Sequence, residues 1–225
     1  TAIVGPNGAG KTTYFNLMSG QLAATSGQTL LDGEDLSSLG AAGRAARGIG
    51  RAFQITNLFP NLSVAENVRL AVQASGHKAA SLFSLWSSHR DWIDKADHYL
   101  ALVNLSGVRD TLAAALPHGD KRKLEVAIMM ALEPRVFMFD EPTAGMSVDE
   151  VPVILDLIHA LKKDSTKTIL LVEHKMDVVR SLADRIVVLH NGRLVADGEP
   201  AAVIASPVVQ EAYLGQAPKA EAAHG

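Results

Sequence analysis

The run Gly5-Pro6-Asn7-Gly8-Ala9-Gly10-Lys11-Thr12-Thr13 constrains this chain more than any other stretch of it. Ala2 to Val4 reads as the end of a buried strand, and a helix is expected from Lys11 to about Ser19. Strand, glycine turn and helix in that order leave few folds open. The glycines let successive backbone N–H groups turn toward one point at a helix N-terminus, making a nest for an anion. Lys11 adds a point charge suited to the β- and γ-phosphates of ATP, and the Thr12 hydroxyl can take one position on Mg²⁺. Every fixed position of the Walker A pattern is filled. Gly5, Pro6, Asn7, Gly8, Ala9, Gly10, Lys11, Thr12 and Thr13 are therefore the candidate nucleotide-binding residues.

Three later apolar runs have the length of buried strands. Val136-Phe137-Met138-Phe139 ends at Asp140, Ile169 to Val172 ends at Glu173-His174, and Ile186 to Leu189 ends at His190-Asn191-Gly192. Between the first two lies a helical stripe of Ile154, Leu155, Leu157, Ile158 and Leu161. Its start has two readings, a capping box at Ser147 and Glu150 or a first turn containing Pro152. Continuous apolar runs separated by helices indicate a parallel sheet covered on both faces. The expected fold is thus α/β, a P-loop NTPase sheet of the RecA-like kind flanked by helices.

A carboxylate ending such a strand lies beside the phosphate loop, where open α/β sheets bind ligands. Asp140 is expected to hold Mg²⁺ through water, and Glu141 to polarise the attacking water. His174 ends the next strand in the same way and should also point at the phosphate edge. Earlier, a short strand near Thr29 to Leu31 precedes the turn Asp32-Gly33. A further strand over residues 48–53 ends at Gln54.

The pattern from Asn57 to about Leu132 is helical. Ser63 and Glu66 form a capping-box pair, followed by the apolar face of Val64, Val68, Leu70, Ala71 and Val72. Gly76 to Ser88 interrupts it, a second helix covers Asp91 to Leu105, and a third begins near Asp120. The expected division is residues 1–55 and 133–216 for the two parts of the ATPase core. Residues 56–132 form an inserted α-helical subdomain, and 217–225 a flexible tail.

Composition excludes several other classes. At 225 residues, 48% apolar and 20% charged, the chain suits one α/β domain with a small subdomain. A net charge of −3 gives no general electrostatic reason to bind nucleic acid. Arg44, Arg47 and Arg51 are too few to make a basic patch. With no cysteine, disulfides and thiolate metal sites are excluded, and a cytosolic setting fits. No apolar stretch is long enough to span a bilayer, so any transport channel must belong to another polypeptide. No signal peptide is visible. The chain starts at Thr1 without Met, and the true beginning is expected to lie further upstream.

Together these residues resemble the ABC-type ATPases over essentially the whole chain. The matching pieces are the P-loop at Gly5 to Thr13, a Q-loop at Phe53-Gln54 and a signature segment at Leu116-Pro117-His118-Gly119-Asp120. The Walker B stretch Phe139-Asp140-Glu141-Pro142-Thr143 and the switch histidine His174 complete the set. The resemblance implies that Gln54 senses Mg²⁺ and the membrane partner, Glu141 is the catalytic glutamate and His174 contacts the γ-phosphate. It implies two ATPase subunits, identical or not, closing head to tail. Pro117, His118, Gly119 and Asp120 of one would then complete the ATP site of the other. It further implies integral membrane permease subunits, indirectly a substrate-binding protein, and a peripheral place on the cytoplasmic face of a bacterial membrane.

Within that family the chain is similar to the ATPase subunits of branched-chain amino acid importers. The Asp-for-Gln signature running into Lys121-Arg122-Lys123-Leu124-Glu125, the stretch around Ser81 to Arg90 and the ending Glu211-Ala212-Tyr213-Leu214-Gly215 carry that likeness. The alternatives are another ABC transporter, such as a lipopolysaccharide exporter, or a soluble ABC ATPase. Three departures stand out. Pro117 and His118 replace the signature's serine and first glycine, which removes a hydroxyl hydrogen bond of about 1.5–3 kcal/mol. The D-loop aspartate is Ser147 here, with Asp149 two residues later. The upstream adenine-stacking aromatic and the small antiparallel sheet around it are missing. Asp120 is expected to cap the following helix, and Lys121 to Lys123 to form a solvated face.

Overall fold

The computed structural model describes residues 1–52, 58–76 and 90–214, the last four by backbone alone. Phe53, Gln54, most of the Ser81 to Arg90 stretch and the tail 217–225 lie outside the described residues.

β1 (Ala2–Val4) is fully buried and feeds the glycine turn and α1 (Lys11–Ser19). β2 (Leu30–Leu31) and β3 (Glu34–Asp35) form a small antiparallel hairpin around Asp32-Gly33, both at positive φ (50° and 85°). α2 (Ala41–Ala46) leads into β4 (Ile49–Ala52). α3 (Val64–Ser75) opens with the expected capping box: the Ser63 hydroxyl accepts from the Glu66 N–H while the Glu66 carboxylate accepts from the Ser63 N–H. α4 (Arg90–Leu102) and α5 (His118–Ala131) pack against α3.

After them come β5 (Val136–Asp140), α6 (Val151–Lys162), β6 (Thr168–Val172), α7 (Met176–Leu182), β7 (Ile186–His190) and β8 (Arg193–Gly198). Two short helices, α8 (Pro200–Ile204) and α9 (Pro207–Leu214), follow. Among the described residues, no helix is long and apolar enough to cross a membrane.

The strands form one sheet in the order β4-β5-β6-β1-β7-β8. Its first five members are parallel, so their carboxyl ends meet along one edge. β8 departs from the expected all-parallel sheet. It pairs antiparallel with β7 through the two-residue turn Asn191-Gly192, at φ 50° and 72°. Such Asn-Gly turns match the twist of a hairpin, so the dipeptide read as the end of a strand also starts the next one.

Alternation along β5 assigns the two faces of the sheet. Phe137 and Phe139 join a core with Val64, Val68, Leu100, Leu124 and Ile154, which fixes the α3–α5 unit and α6 on one side. Val136 and Met138 join Ile3, Phe15, Leu36 and Val172 on the other. Phe15, fully buried, contributes about 1.5–3 kcal/mol there and pins α1 beneath the sheet edge. The position of the glycine turn follows from that anchor.

Two local readings change. α6 begins after Glu150 with Pro152 in its first turn, while the Ser147 N–H and hydroxyl both donate to Glu150 Oε2 in the loop before it. The Ser147–Glu150 pair thus closes a loop rather than capping the helix. α5 begins at His118 with Pro117 at its cap position, so Asp120 lies inside the first turn and is not the cap. Its charge still favours the helix dipole from there.

Candidate functional site

The loop after β1 owes its path to two glycines with no side-chain alternative. Gly5 has φ 154°, and a Cβ there would lie 2.1 Å from the backbone oxygen of Leu189. Gly10 has φ 98° and is the left-handed N-cap of α1. Between them the turn is held by Ala9 N–H to Pro6 O at 3.1 Å. The tip of the β7–β8 hairpin supports it from below, with Gly192 N–H donating to Ala9 O at 3.0 Å. A Cβ on Gly10 would lie 3.3 Å from Gly192 Cα.

Lys11 is buried to 6% exposure and curls back over this loop. Its Nζ donates to Gly5 O at 2.7 Å and to Pro6 O at 3.0 Å. Burial pushes the Lys11 ammonium below its ordinary pKa, while Glu141 and Asp140 act in the opposite sense. The ammonium therefore sits inside the turn, held by its carbonyls.

Residues 7–13 line a cleft of about 240 Å³ together with Glu141 and His174. Thr12 and Thr13 are exposed to it, as are Asn7 and Gly8. The strand order explains the gathering. β6 lies between β5 and β1, so Asp140-Glu141, Glu173-His174 and the glycine turn leave three adjacent strands at one edge. Glu141 adopts φ 52°, an unusual conformation for a residue with a Cβ, and its N–H donates to Val172 O at 2.9 Å. His174 Nε2 lies 2.7 Å from Glu141 Oε1.

Two further residues belong to this edge. Glu173 is 3% exposed and accepts from the Thr143 hydroxyl at 2.7 Å on one oxygen. Its other oxygen accepts from the N–H of His174 at 3.0 Å. Arg51, on β4 opposite Met138, donates to Asp140 Oδ2 at 2.9 Å, with both side chains nearly enclosed. Glu173 carries the same strand-end signal as Asp140 and was legible on that ground. Nothing local in the sequence pairs Arg51 with a residue 89 positions away.

Residues 1–144 match the ABC transporter family. The chain belongs to that family. It is an ATPase cassette, and its relatives agree along nearly its whole length. It is 38% identical over 221 residues to the high-affinity branched-chain amino acid transport ATP-binding protein BraF of Pseudomonas aeruginosa, covering 96% of this chain and 87% of BraF. The LivG protein of the same description from Escherichia coli K12 is 36% identical over the same shares. Among solved structures, the ADP conformation of the ATP-binding cassette MJ1267 superposes with a TM-score of 0.77 at 28% identity, covering 96% of this chain and 87% of that one. The post-hydrolysis dimer of the cassette MJ0796 bound to ADP and Pi gives 0.77 at 25% identity, covering 88% and 84%.

The segment read as the signature, Pro117 to Asp120, does not line the cleft. Pro117 and His118 are exposed at the start of α5, and Gly119 is buried against Glu150, whose Oε1 would lie 2.3 Å from a Cβ. Lys123 is not on a solvated face. It is 8% exposed and bonds Asp120 Oδ1 at 2.9 Å and Glu150 Oε1 at 3.0 Å. Burial opposes its charge, but these two carboxylates hold its pKa above the ordinary lysine value. Asp120 is thereby neutralised within the chain. Gln54 lies outside the described residues.

Proposed function

We propose that this cassette binds ATP at the glycine turn, hydrolyses it at the β5–β6 edge, and powers import of branched-chain or related hydrophobic amino acids through separate permease subunits. The observation that carries the catalytic part is the 2.7 Å contact of His174 with Glu141 in the cleft lined by residues 7–13. The names of BraF and LivG support the choice of substrate.

In this reading the N–H groups of Gly8 and of residues 10–13 surround the β-phosphate, and Lys11 leaves the carbonyls of Gly5 and Pro6 to meet the β- and γ-phosphates. Glu141 orients the attacking water. His174 moves from Glu141 to the γ-phosphate, which frees the carboxylate for that task. Thr12 and Asp140 are hard oxygen donors on neighbouring elements. No group of three or more His, Cys, Asp or Glu side chains able to hold a metal exists among the described residues. That donor set fits an ion taking one or two protein oxygens, with phosphates and water completing its shell, as Mg²⁺ prefers. Bound there, Mg²⁺ would neutralise charge on the phosphates.

Two cassettes closing head to tail would bring Pro117 to Asp120 of one against the γ-phosphate held by the other. With the serine hydroxyl replaced by Pro117, the N-terminus of α5 and His118 supply that contact. Exposed Phe59 and the neighbouring groove lined by Leu58, Pro60 and Ala114 suit a permease helix.

The test is reconstitution of the cassette with its copurifying membrane subunits, followed by ATP turnover and uptake of labelled leucine. Glu141→Gln should lower both by orders of magnitude while leaving ATP binding in place. Unchanged turnover would remove Glu141 from its role, and turnover coupled to a different solute would overturn the substrate.

A further inference from the structure

Arg51 is buried where a charge is hard to justify on stability alone. Among the described residues its guanidinium reaches side chains on two sides of the nucleotide edge. NH2 donates to Asp140 Oδ2 at 2.9 Å, while NH1 donates to Asn16 Oδ1 at 2.7 Å, Ser19 Oγ at 3.1 Å and Gln21 Oε1 at 3.2 Å. The guanidinium carbon lies 5.4 Å from the centre of the Phe15 ring. Asn16 and Ser19 belong to α1, the helix that begins with Lys11 and Thr12, whereas Asp140 ends β5. A single planar cation therefore ties the helix carrying Thr12 to the strand carrying Asp140.

Enclosing an ion pair seldom adds net stability, because the desolvation it requires rivals the attraction it gains. Its use here is geometric. A planar fork with several fixed donors orients a carboxylate in a way that a lysine ammonium cannot. Carboxylates that hold a metal are themselves commonly fixed by an outer hydrogen bond, whose loss weakens metal affinity or activity by about 10–100-fold. Asp140 takes that bond from Arg51 through one oxygen.

We propose that Arg51 is the positioning residue of the metal site, fixing the orientation of Asp140 and its distance from Thr12. The proposal rests on Asp140 being the metal-binding carboxylate. It sets no new contact with the nucleotide. Removal of the guanidinium should weaken only the part of nucleotide affinity that depends on the divalent ion.

The experiment measures affinity of the full-length protein for a non-hydrolysable ATP analogue by calorimetry, once with Mg²⁺ and once with EDTA. In Arg51→Met the Mg²⁺-dependent gain in affinity should fall by on the order of tenfold or more. Affinity in EDTA, set by the glycine turn and Lys11, should stay within about twofold of wild type. Arg51→Lys should recover part of the gain. If Arg51→Met does not fold, the double variant Asn16→Ala/Gln21→Ala keeps the ion pair and loosens its anchor, and should reduce the gain by a smaller factor. A folded Arg51 variant that keeps the whole gain, or loses affinity equally in both conditions, overturns the proposal. Asp140→Asn separates the two ideas. If it alone loses the gain, the role of Arg51 fails and that of Asp140 stands; if it too keeps the gain, both fail.

Discussion

His174 Nε2 and Glu141 Oε1 stand 2.7 Å apart across the ends of two neighbouring parallel strands, with about two-fifths of each side chain open to solvent. The main chain enforces this. Glu141 is turned out of β5 at φ 52° and is tied to Val172 O, the last residue of β6. The pair is thus presented to the cleft by backbone geometry, with the buried Thr143–Glu173 bond beneath it.

Replacing Glu141 with Gln should lower ATP turnover by about 10²–10⁴-fold, the range for a lost group that handles the attacking water's proton. His174→Ala should lower it as well. Because the two act as a unit, the double variant should be less impaired than the product of the single effects. Steady-state phosphate release by all three variants checks this, and strictly multiplicative losses would separate the two roles.

Thr143 and Glu173 brace the same two loops from below. Thr143→Val removes the hydroxyl that satisfies one buried carboxylate oxygen, so unfolding stability should drop by about 1–3 kcal/mol. Urea denaturation reads the loss. A change below about 0.5 kcal/mol would mean that water replaces the hydroxyl and that the brace is dispensable.

Gly119→Ala meets a flexible obstacle, the Glu150 carboxylate, and not a fixed backbone. Its expected harm comes from pushing Glu150 off Lys123 and Ser147. The substitution should cost about 1–3 kcal/mol in the wild-type background. In a Glu150→Ala background it should cost much less. Thermal unfolding of the four-member cycle measures the coupling.

The same carboxylate predicts a pH dependence. The Ser147 N–H, followed by Lys123, holds Glu150 below its ordinary pKa of 4.5. A depressed carboxylate stabilises the fold above the unfolded-state value, and that contribution disappears as pH falls through the lower folded value. Wild type should therefore exceed Glu150→Gln in stability at pH 6–7, with the gap closing below 4.5. A gap that widens on acidification would contradict the assignment. Chemical denaturation at a series of pH values provides the comparison.

Local patterns carried most of the catalytic edge. The glycine run, the apolar run ending at Asp140 and the one ending at Glu173-His174 each declare themselves within a few residues, because strand burial and loop geometry are written locally. What escaped was pairing across distance. Arg44, Arg47 and Arg51 read as too few to make a basic patch, and they make none, but the partners that hold each of them were not legible. Arg44 is enclosed and donates to Leu17 O, Met18 O and Leu39 O; Arg47 pairs with Glu34, and Arg51 with Asp140. Lys123 was misread for the same reason, since its partner Glu150 lies beyond β5. The β7–β8 hairpin is a different kind of miss. Asn191-Gly192 announced a turn locally and was read only as the end of a strand, because the exposed, mixed run of β8 carries no apolar signal of its own.

That hairpin tip lies directly beneath the phosphate-holding turn, with Gly192 bonded to Ala9 and packed near Gly10. The shape of the cleft is therefore partly owned by a segment from far along the chain that carries no motif. A side chain at Gly192 would meet open space and suffer only its left-handed φ, but an insertion at that tip would move the Gly192 amide and the support it gives Ala9, without altering any residue that lines the cleft. Two cassettes with identical motif sequences can for this reason differ in their grip on ATP. The place to look for the difference is the floor under the loop.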